Sequence, residues 1–237
     1  MGSEPERHPV TPSSRPGRRS HAERSAQTRQ RLISTAIELI GQHGFGQMSI
    51  HALARSAGLT SGAVQHHFES KAVLMMQVLD ELLRSHIDAG ALWPPAGLGP
   101  RERATRLLQT LWTLVYAEPR FLVAWNIYLG SRGQPEVLGH IAQARDAIDA
   151  QLSQGFFATF PELAGQPDRE ALMGVVFSTL RGLGLLELFA DQGQPSASAP
   201  AQLALLAELI AGRCESAAGD RPDAPAKAAR RRRASPD

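Results

Sequence analysis

The stretch from Ser49 to Leu74 constrains this chain most, because helical apolar spacing continues on both sides of a glycine. Gly58 is suited to the left-handed end of a first helix, and Thr60 to the N-cap of a second one. The stretch therefore predicts a helix, a tight turn and a second helix. The residues spaced to share one face of the first helix are Ile50, Leu53, Ala54 and Ala57.

The second helix of this stretch is predicted to have a short polar face. Val64 and Phe68 are four residues apart and should face inward. A helix-turn-helix needs such a face, because the start of its second helix lies against base edges in a major groove about 12 Å wide. The turn alone fits an ordinary helical hairpin equally well. The residues left to face outward are Ser61, Ala63, Gln65, His66 and His67.

Lys71 stands in the first turn of the next predicted helix, which Ser70 should cap. A cation at this position opposes the helix dipole, so it is unfavourable for stability. The same cation is favourable where the partner is a phosphate. Lys71 is therefore predicted to contact a phosphate.

This part of the chain resembles the TetR family of bacterial transcriptional repressors. The resemblance is limited to the N-terminal part, and the rest of the chain is similar only in general character. It is carried by Arg31, Leu32, Ile33, Ala36, Leu39, Ile40, Gly44 and Phe45, and by the run from Ser49 through Ala57, Gly58, Leu59, Gly62, His67, Phe68, Ser70 and Lys71 to Leu74.

The resemblance implies which residues face DNA, with Lys71 on a phosphate. Gln65 departs from the family pattern, in which an aromatic residue commonly packs against the sugar-phosphate backbone. Gln65 can instead bind a phosphate or pair with an adenine edge, so the target sequence stays open. The residues implied to face DNA are Ser49, His51, Ser61, Gly62, Ala63, Gln65, His66 and His67.

Charge is distributed unevenly along the 237 residues. Residues 1–75 carry 9 basic and 5 acidic side chains, residues 76–219 carry 10 and 15, and residues 220–237 carry 6 and 3. The two ends therefore suit a polyanion such as DNA, whereas the middle does not. Either end can also be an ordinary solvated tail.

The pattern after Lys71 is helical throughout, so the predicted fold is all-α, with a helix-turn-helix domain followed by a larger helical domain. One middle helix is predicted to end at Glu118, before Pro119, and Phe45 to plug the N-terminal three-helix core. The predicted divisions are a disordered basic arm (1–21), the DNA-binding domain (22–70), a ligand-binding and dimerisation domain (71–214) and a disordered basic tail (215–237).

Aromatic residues concentrate in the middle of the chain. At helical spacing they are compatible with an ordinary core or with walls of a cavity for a small apolar or aromatic effector, and the resemblance favours the cavity. The predicted effector residues are Trp112, Tyr116, Trp125, Asn126 and Tyr128.

The last two predicted helices are apolar around most of their circumference. Such helices need a partner, so they predict a homodimer, and the resemblance implies a four-helix bundle between two copies. The residues predicted to form this dimer face are Leu172, Val176, Leu180, Leu183, Leu203 and Leu206.

Several functions have little sequence support. The single cysteine, Cys214, excludes an intramolecular disulfide, and the histidines lack a carboxylate or cysteine at ligand spacing, so no metal or other cofactor is predicted. No catalytic constellation and no membrane-spanning run is recognisable, which predicts a cytoplasmic protein that is not an enzyme. The prediction is a dimeric, ligand-responsive repressor on a near-palindromic operator; an activator and a nucleoid-associated protein without effector control remain alternatives.

Overall fold

The computed structural model describes residues 20–86, 92–189 and 199–219, and the regular structure in these ranges is entirely helical. This confirms the predicted all-α class. The α-helices are α1 (His21–His43), α2 (Ile50–Ala57), α3 (Ser61–His67), α4 (Lys71–His86), α5 (Pro100–Leu111), α6 (Pro119–Gly130), α7 (Pro135–Thr159), α8 (Arg169–Leu186) and α9 (Ala199–Gly219).

Helix α1 begins with a capping box. The Ser20 hydroxyl accepts a hydrogen bond from the Glu23 amide at 3.1 Å, and the Glu23 carboxylate accepts one from the Ser20 amide at 2.7 Å. This reciprocal cap satisfies two amides that the first turn would otherwise leave unpaired. All but two residues of the predicted arm, 1–21, lie outside the described residues.

The N-terminal hydrophobic core extends into the later helices. It gathers buried residues of α1 to α4 and also includes Val123 and Ile127 of α6 and Val137 of α7. His140 of α7 pairs with Asp80 of α4 at 2.7 Å, beside this shared core. Helix α6 thus contributes to the N-terminal core as well as to the C-terminal part.

A second core lies between α5, α8 and α9 and the end of α7. Cys214 is buried in it, and burial raises the pKa of this thiol to about 11. The side chain therefore behaves as a small core residue. Helix α9 continues to Gly219, so residues 215–219 of the predicted tail are helical, and residues 220–237 lie outside the described residues.

The predicted dimer face was wrong in its residues. Leu172, Val176, Leu180, Leu183, Leu203 and Leu206 are all buried within the single chain, at 8% exposure or less. The large apolar residues that α8 and α9 leave exposed are Val175, Leu186, Leu205 and Leu209. Periodicity identified two helices with more apolar residues than one buried face needs. It could not show which of these residues are buried within the single chain and which are exposed.

Two further expectations need correction. The middle helix, predicted to end at Glu118, ends at Tyr116 and changes character on the way: α5 ends at Leu111 and a π-helical turn continues directly over Trp112–Tyr116. The segment Arg169–Phe189 is long and apolar enough to cross a membrane by length and composition, although no such run was predicted. One third of its most apolar window is buried inside the protein.

Candidate DNA-reading surface

Two helix caps and a glycine shape the unit formed by α2, the turn and α3. Ser49 caps α2, its hydroxyl accepting from the Ala52 amide at 3.1 Å, and Thr60 caps α3 in the same way on Ala63. Gly58 has φ 64° and ψ 35°, the left-handed conformation that avoids a steric penalty only without a Cβ. These local signals place α3 directly after α2.

Helix α3 presents a polar face beside a buried stripe. Val64 and Phe68 are fully buried in the N-terminal core. Gly62, Gln65 and His66 are exposed, while Ser61, Ala63 and His67 are half-buried. The structure therefore brings the six predicted α3 residues onto or beside one accessible face, where they can meet base edges.

A direct hydrogen bond joins the two helices of the turn. The His51 Nδ1 atom lies 2.8 Å from the Ser61 hydroxyl oxygen. His51 and Ser49 are both exposed near the start of α2. The bond fixes the start of α3 against α2, so the predicted residues of both helices form one continuous surface.

His67, at the end of α3, is next to a cation that the sequence pattern did not single out. Burial first, and then the nearby His66 and Arg29, lower the pKa of His67. Arg29 of α1 donates to the Gln77 side-chain oxygen at 2.7 Å, and its guanidinium lies 5.2 Å from the centre of the Phe68 ring. No local motif marks Arg29, because its position depends on how α1 packs across α3 and α4.

Lys71 does not extend freely from the first turn of α4. Its ammonium donates a hydrogen bond to the Met48 carbonyl at 2.6 Å and lies 4.2 Å from the centre of the Phe45 ring. Burial lowers the pKa of this lysine. The side chain predicted to reach a phosphate is therefore engaged by the turn between α1 and α2.

The predicted effector residues fall into separate environments. Tyr116, Phe121, Trp125 and Tyr128 form a continuous row of edge-to-face rings, with centroids 5.2, 6.3 and 5.4 Å apart. This aromatic row is half-exposed toward Tyr128, and Tyr116 is buried, which raises the pKa of its phenol to about 12. Phe121 was missing from the predicted set.

The other two predicted effector residues do not belong to the aromatic row. Trp112 packs against the second core, in the π-helical turn. Asn126 lines a groove of about 360 Å³ between α1 and α6, on a different side of α6 from the rings. A larger, shallow groove of about 660 Å³ lies between the end of α1 and α2; its lining residues are Leu39, His43, Gln47, Ser49, Ala52, Arg55 and Ser56.

Within the described ranges, no three histidine, cysteine, aspartate or glutamate side chains come together in a way that could hold a metal ion. The polar side chains of the predicted DNA-facing residues of α2 and α3 are an amide, hydroxyls and imidazoles. Such groups suit hydrogen bonding to base edges and phosphates.

The comparisons with known proteins agree with this geometry. Residues 32–78 match the family model of bacterial regulatory proteins of the tetR family. The probable acrEF/envCD operon repressor of Escherichia coli K12 is 38% identical over 79 residues, which cover 31% of this chain and 36% of that relative. The chain thus spans about a third of the length of this curated relative.

Solved structures extend the likeness over most of the chain. The multidrug binding protein EbrR, complexed with imidazole, has a TM-score of 0.55 at 20% identity, covering 85% of this chain and 97% of that one. A transcriptional regulator from Saccharomonospora viridis in complex with choline has a TM-score of 0.59 at 21% identity, covering 77% and 96%. At these identities the likeness shows the fold.

Proposed function

Since the chain belongs to the TetR family of bacterial regulatory proteins, we propose that it is a cytoplasmic, ligand-responsive transcriptional repressor. Two copies would place their α3 helices in successive major grooves of a near-palindromic operator. A small molecule bound by the C-terminal helices would release the DNA. The accessible polar face of α3 carries this proposal.

The chemistry of that face supports base readout at its exposed positions. The Gln65 amide can pair with an adenine edge through two hydrogen bonds, and the His66 imidazole can donate to a guanine or a phosphate. Gly62 lets the backbone approach closely. Ser49 and His51, at the start of α2, would contact the sugar-phosphate backbone and set the orientation of the protein.

The exposed apolar stripes of α8 and α9 support the dimer. Val175 and Leu186 are 50% and 51% exposed, and Leu205 and Leu209 are 70% and 41% exposed. No described atom lies within 4 Å of a Cβ built on Gly182 or Gly212, so both helices have open positions where a partner helix can approach. A second copy would cover these stripes, which also accounts for the apolar composition of α8.

Helix α6 contacts both the N-terminal core and the aromatic row, which supports control of DNA binding by an effector. One side contributes Val123 and Ile127 to the N-terminal core, and another carries the rings of Phe121, Trp125 and Tyr128. Helix α8 approaches this row closely, since a Cβ on Gly184 would lie 2.7 Å from a Phe121 ring carbon.

A small apolar or aromatic molecule that separates the rings from α8 would therefore move a helix that belongs to the DNA-binding core. The imidazole and choline complexes of two structurally similar proteins are consistent with a small effector.

A selection of bound duplexes from a random pool tests the proposed function. The expected product is a two-fold symmetric sequence with half-sites about 10 base pairs, or a multiple of this, from centre to centre. If binding is equally tight for all duplexes, the protein is a nonspecific DNA binder of the nucleoid-associated kind and the proposed function fails.

Tryptophan emission tests the effector site. A compound that binds at the aromatic row should quench Trp125 and change operator affinity together, because coupling between two sites is reciprocal. Trp125→Phe should remove the quenching while keeping an aromatic wall, and Trp93→Phe is the control. Quenching at saturation without any change in operator affinity would show a pocket that does not regulate.

A further inference from the structure

Lys71 contacts the turn that leads into the DNA-reading surface. Residues Phe45–Gln47 form a short helical turn that follows α1, and Met48 connects it to the cap of α2. The Lys71 ammonium donates to the Met48 carbonyl at 2.6 Å and lies over the Phe45 ring at 4.2 Å. One side chain at the start of α4 thus holds two points of the segment that positions α2.

The Phe45 ring also lies against the end of α6. A Cβ built on Gly130, the last residue of α6, would overlap three carbons of this ring. The adjacent Ser131 is fully buried, whereas Gly130 is exposed and Phe45 half-buried, so the contact lies at the edge of the core. Only a residue without a side chain allows the ring to lie this close to the α6 backbone.

The Phe45 ring therefore contacts both the Lys71 ammonium and the Gly130 backbone. This three-residue contact, the Phe45 clamp, joins the start of α4, the turn before α2 and the end of α6. Phe45 was predicted to plug the three-helix core, but its ring lies at the edge of that core and is half-buried.

We propose that Lys71 is a positioning residue, which fixes the α2–α3 unit through the Phe45 clamp, and is not a phosphate contact. The proposal deepens the proposed function and rests on it, because it concerns the placement of the same DNA-reading surface. Cation–π attraction and the hydrogen bond to Met48 both need the ammonium, so a neutral side chain loses both.

The two possible roles of Lys71 predict different salt dependences of DNA affinity. A lysine on a phosphate releases a counterion, so its loss lowers the slope of log affinity against log salt by about 0.9 for each contact. A lysine that only positions α2 releases no counterion when the protein binds DNA. Its loss weakens binding by the same factor at every salt concentration and leaves the slope unchanged.

The experiment measures binding of the selected duplex across a salt series. The variants are Lys71→Met, Lys71→Arg, Phe45→Ala and Gly130→Ala, with Gly133→Ala as the matched control, since no described atom lies within 4 Å of a Cβ built there. Thermal melting of each variant checks that it is folded. Amide hydrogen exchange of residues 46–54 in the DNA-free protein reports the local placement of α2.

The proposal expects Lys71→Met, Phe45→Ala and Gly130→Ala to weaken binding about tenfold, by the loss of one to a few contacts on each half-site. Their salt slope should equal that of the wild type, and exchange in residues 46–54 should rise. Lys71→Arg should retain most of the affinity. Phe45→Ala combined with Gly130→Ala should cost less than the product of the single effects, because the two residues touch.

A slope lowered by about 0.9 per half-site in Lys71→Met, with exchange in residues 46–54 unchanged, would overturn the proposal in favour of a phosphate contact. Gly130→Ala that behaves like Gly133→Ala would overturn it as well. If the wild type selects no duplex, the proposed function fails on its own, and the exchange measurement still decides whether Lys71 positions α2.

Discussion

The candidate DNA-reading surface and the aromatic row are built in different ways. The surface of α2 and α3 depends on contacts close in sequence: Ser49 and Thr60 cap their helices three residues on, and Gly58 makes the turn. The aromatic row depends on α6, a π-helical turn and α8, which approach each other at Gly184. The caps and the turn of the first are specified within one short stretch, whereas the second needs the assembled C-terminal part.

This difference indicates where each region can respond. A surface fixed by caps and a left-handed glycine is stiff and can keep its residues in register for base readout. Half-exposed rings next to exposed apolar stripes can repack when a ligand or a second copy binds. Helix α6 carries part of the aromatic row and also packs in the N-terminal core that supports α2 and α3, so a displacement of α6 can link the two regions.

Charging the exposed stripe of α9 should give the largest effect. Leu205→Arg is expected to produce a monomer that binds the operator roughly 100-fold more weakly or worse, because the second half-site no longer adds to affinity. Sedimentation velocity and operator binding measure both changes. Leu114→Arg, at a leucine of 44% exposure outside α8 and α9, is the control.

Leu183→Arg separates packing from assembly. Leu183 is 2% exposed within the single chain, so arginine there should unfold the protein rather than dissociate a dimer. A wild type that sediments as a monomer at micromolar concentration would contradict the proposed assembly.

The left-handed glycine of the turn gives the next largest effect. Gly58→Ala should lower the free energy of unfolding by about 1–2 kcal/mol, because φ 64° is costly for a residue with a Cβ. Gly139→Ala, inside α7 where an added Cβ meets no described atom, should raise it by about 0.5–1 kcal/mol. Urea unfolding measures both, and equal shifts would contradict a turn fixed by Gly58.

The smallest effect concerns pH. Because burial, His66 and Arg29 lower the pKa of His67, folding favours its neutral form. The unfolded chain takes up the proton first as pH falls through about 6.5, so stability decreases on acidification below that value. Urea midpoints at pH 7.5 and 5.5 should differ less in His67→Gln than in the wild type. An identical pH dependence in both proteins would refute this contribution, and His21→Gln is the control.

The sequence predicted the N-terminal surface well, because its signals are local. The caps at Ser49 and Thr60, the turn at Gly58 and the inward pair Val64 and Phe68 need no knowledge of distant residues. Pairwise contacts such as His51 with Ser61 lie between elements whose relative position is not encoded in either one.

Contacts between distant helices could not be predicted in this way. The Phe45 ring on Gly130 and the inward turn of Lys71 depend on how α6 packs against α1 and α4. Apolar periodicity likewise assigned the wrong residues to the dimer face, because Leu183 and its neighbours are buried in the core of the single chain. Trp112 and Asn126 are of residue types that suit an effector site, but they lie away from the aromatic row.

The central claim is that the exposed face of α3 reads base edges, and a comparison of two duplexes tests it most directly. Affinities for the selected operator and for a scrambled duplex are measured with wild type, Gln65→Ala, His66→Ala and the exposed control Gln154→Ala. Gln65→Ala and His66→Ala should each cost about 1–3 kcal/mol on the operator and much less on the scrambled duplex, while Gln154→Ala changes neither. Equal losses on both duplexes would show that α3 does not read the bases.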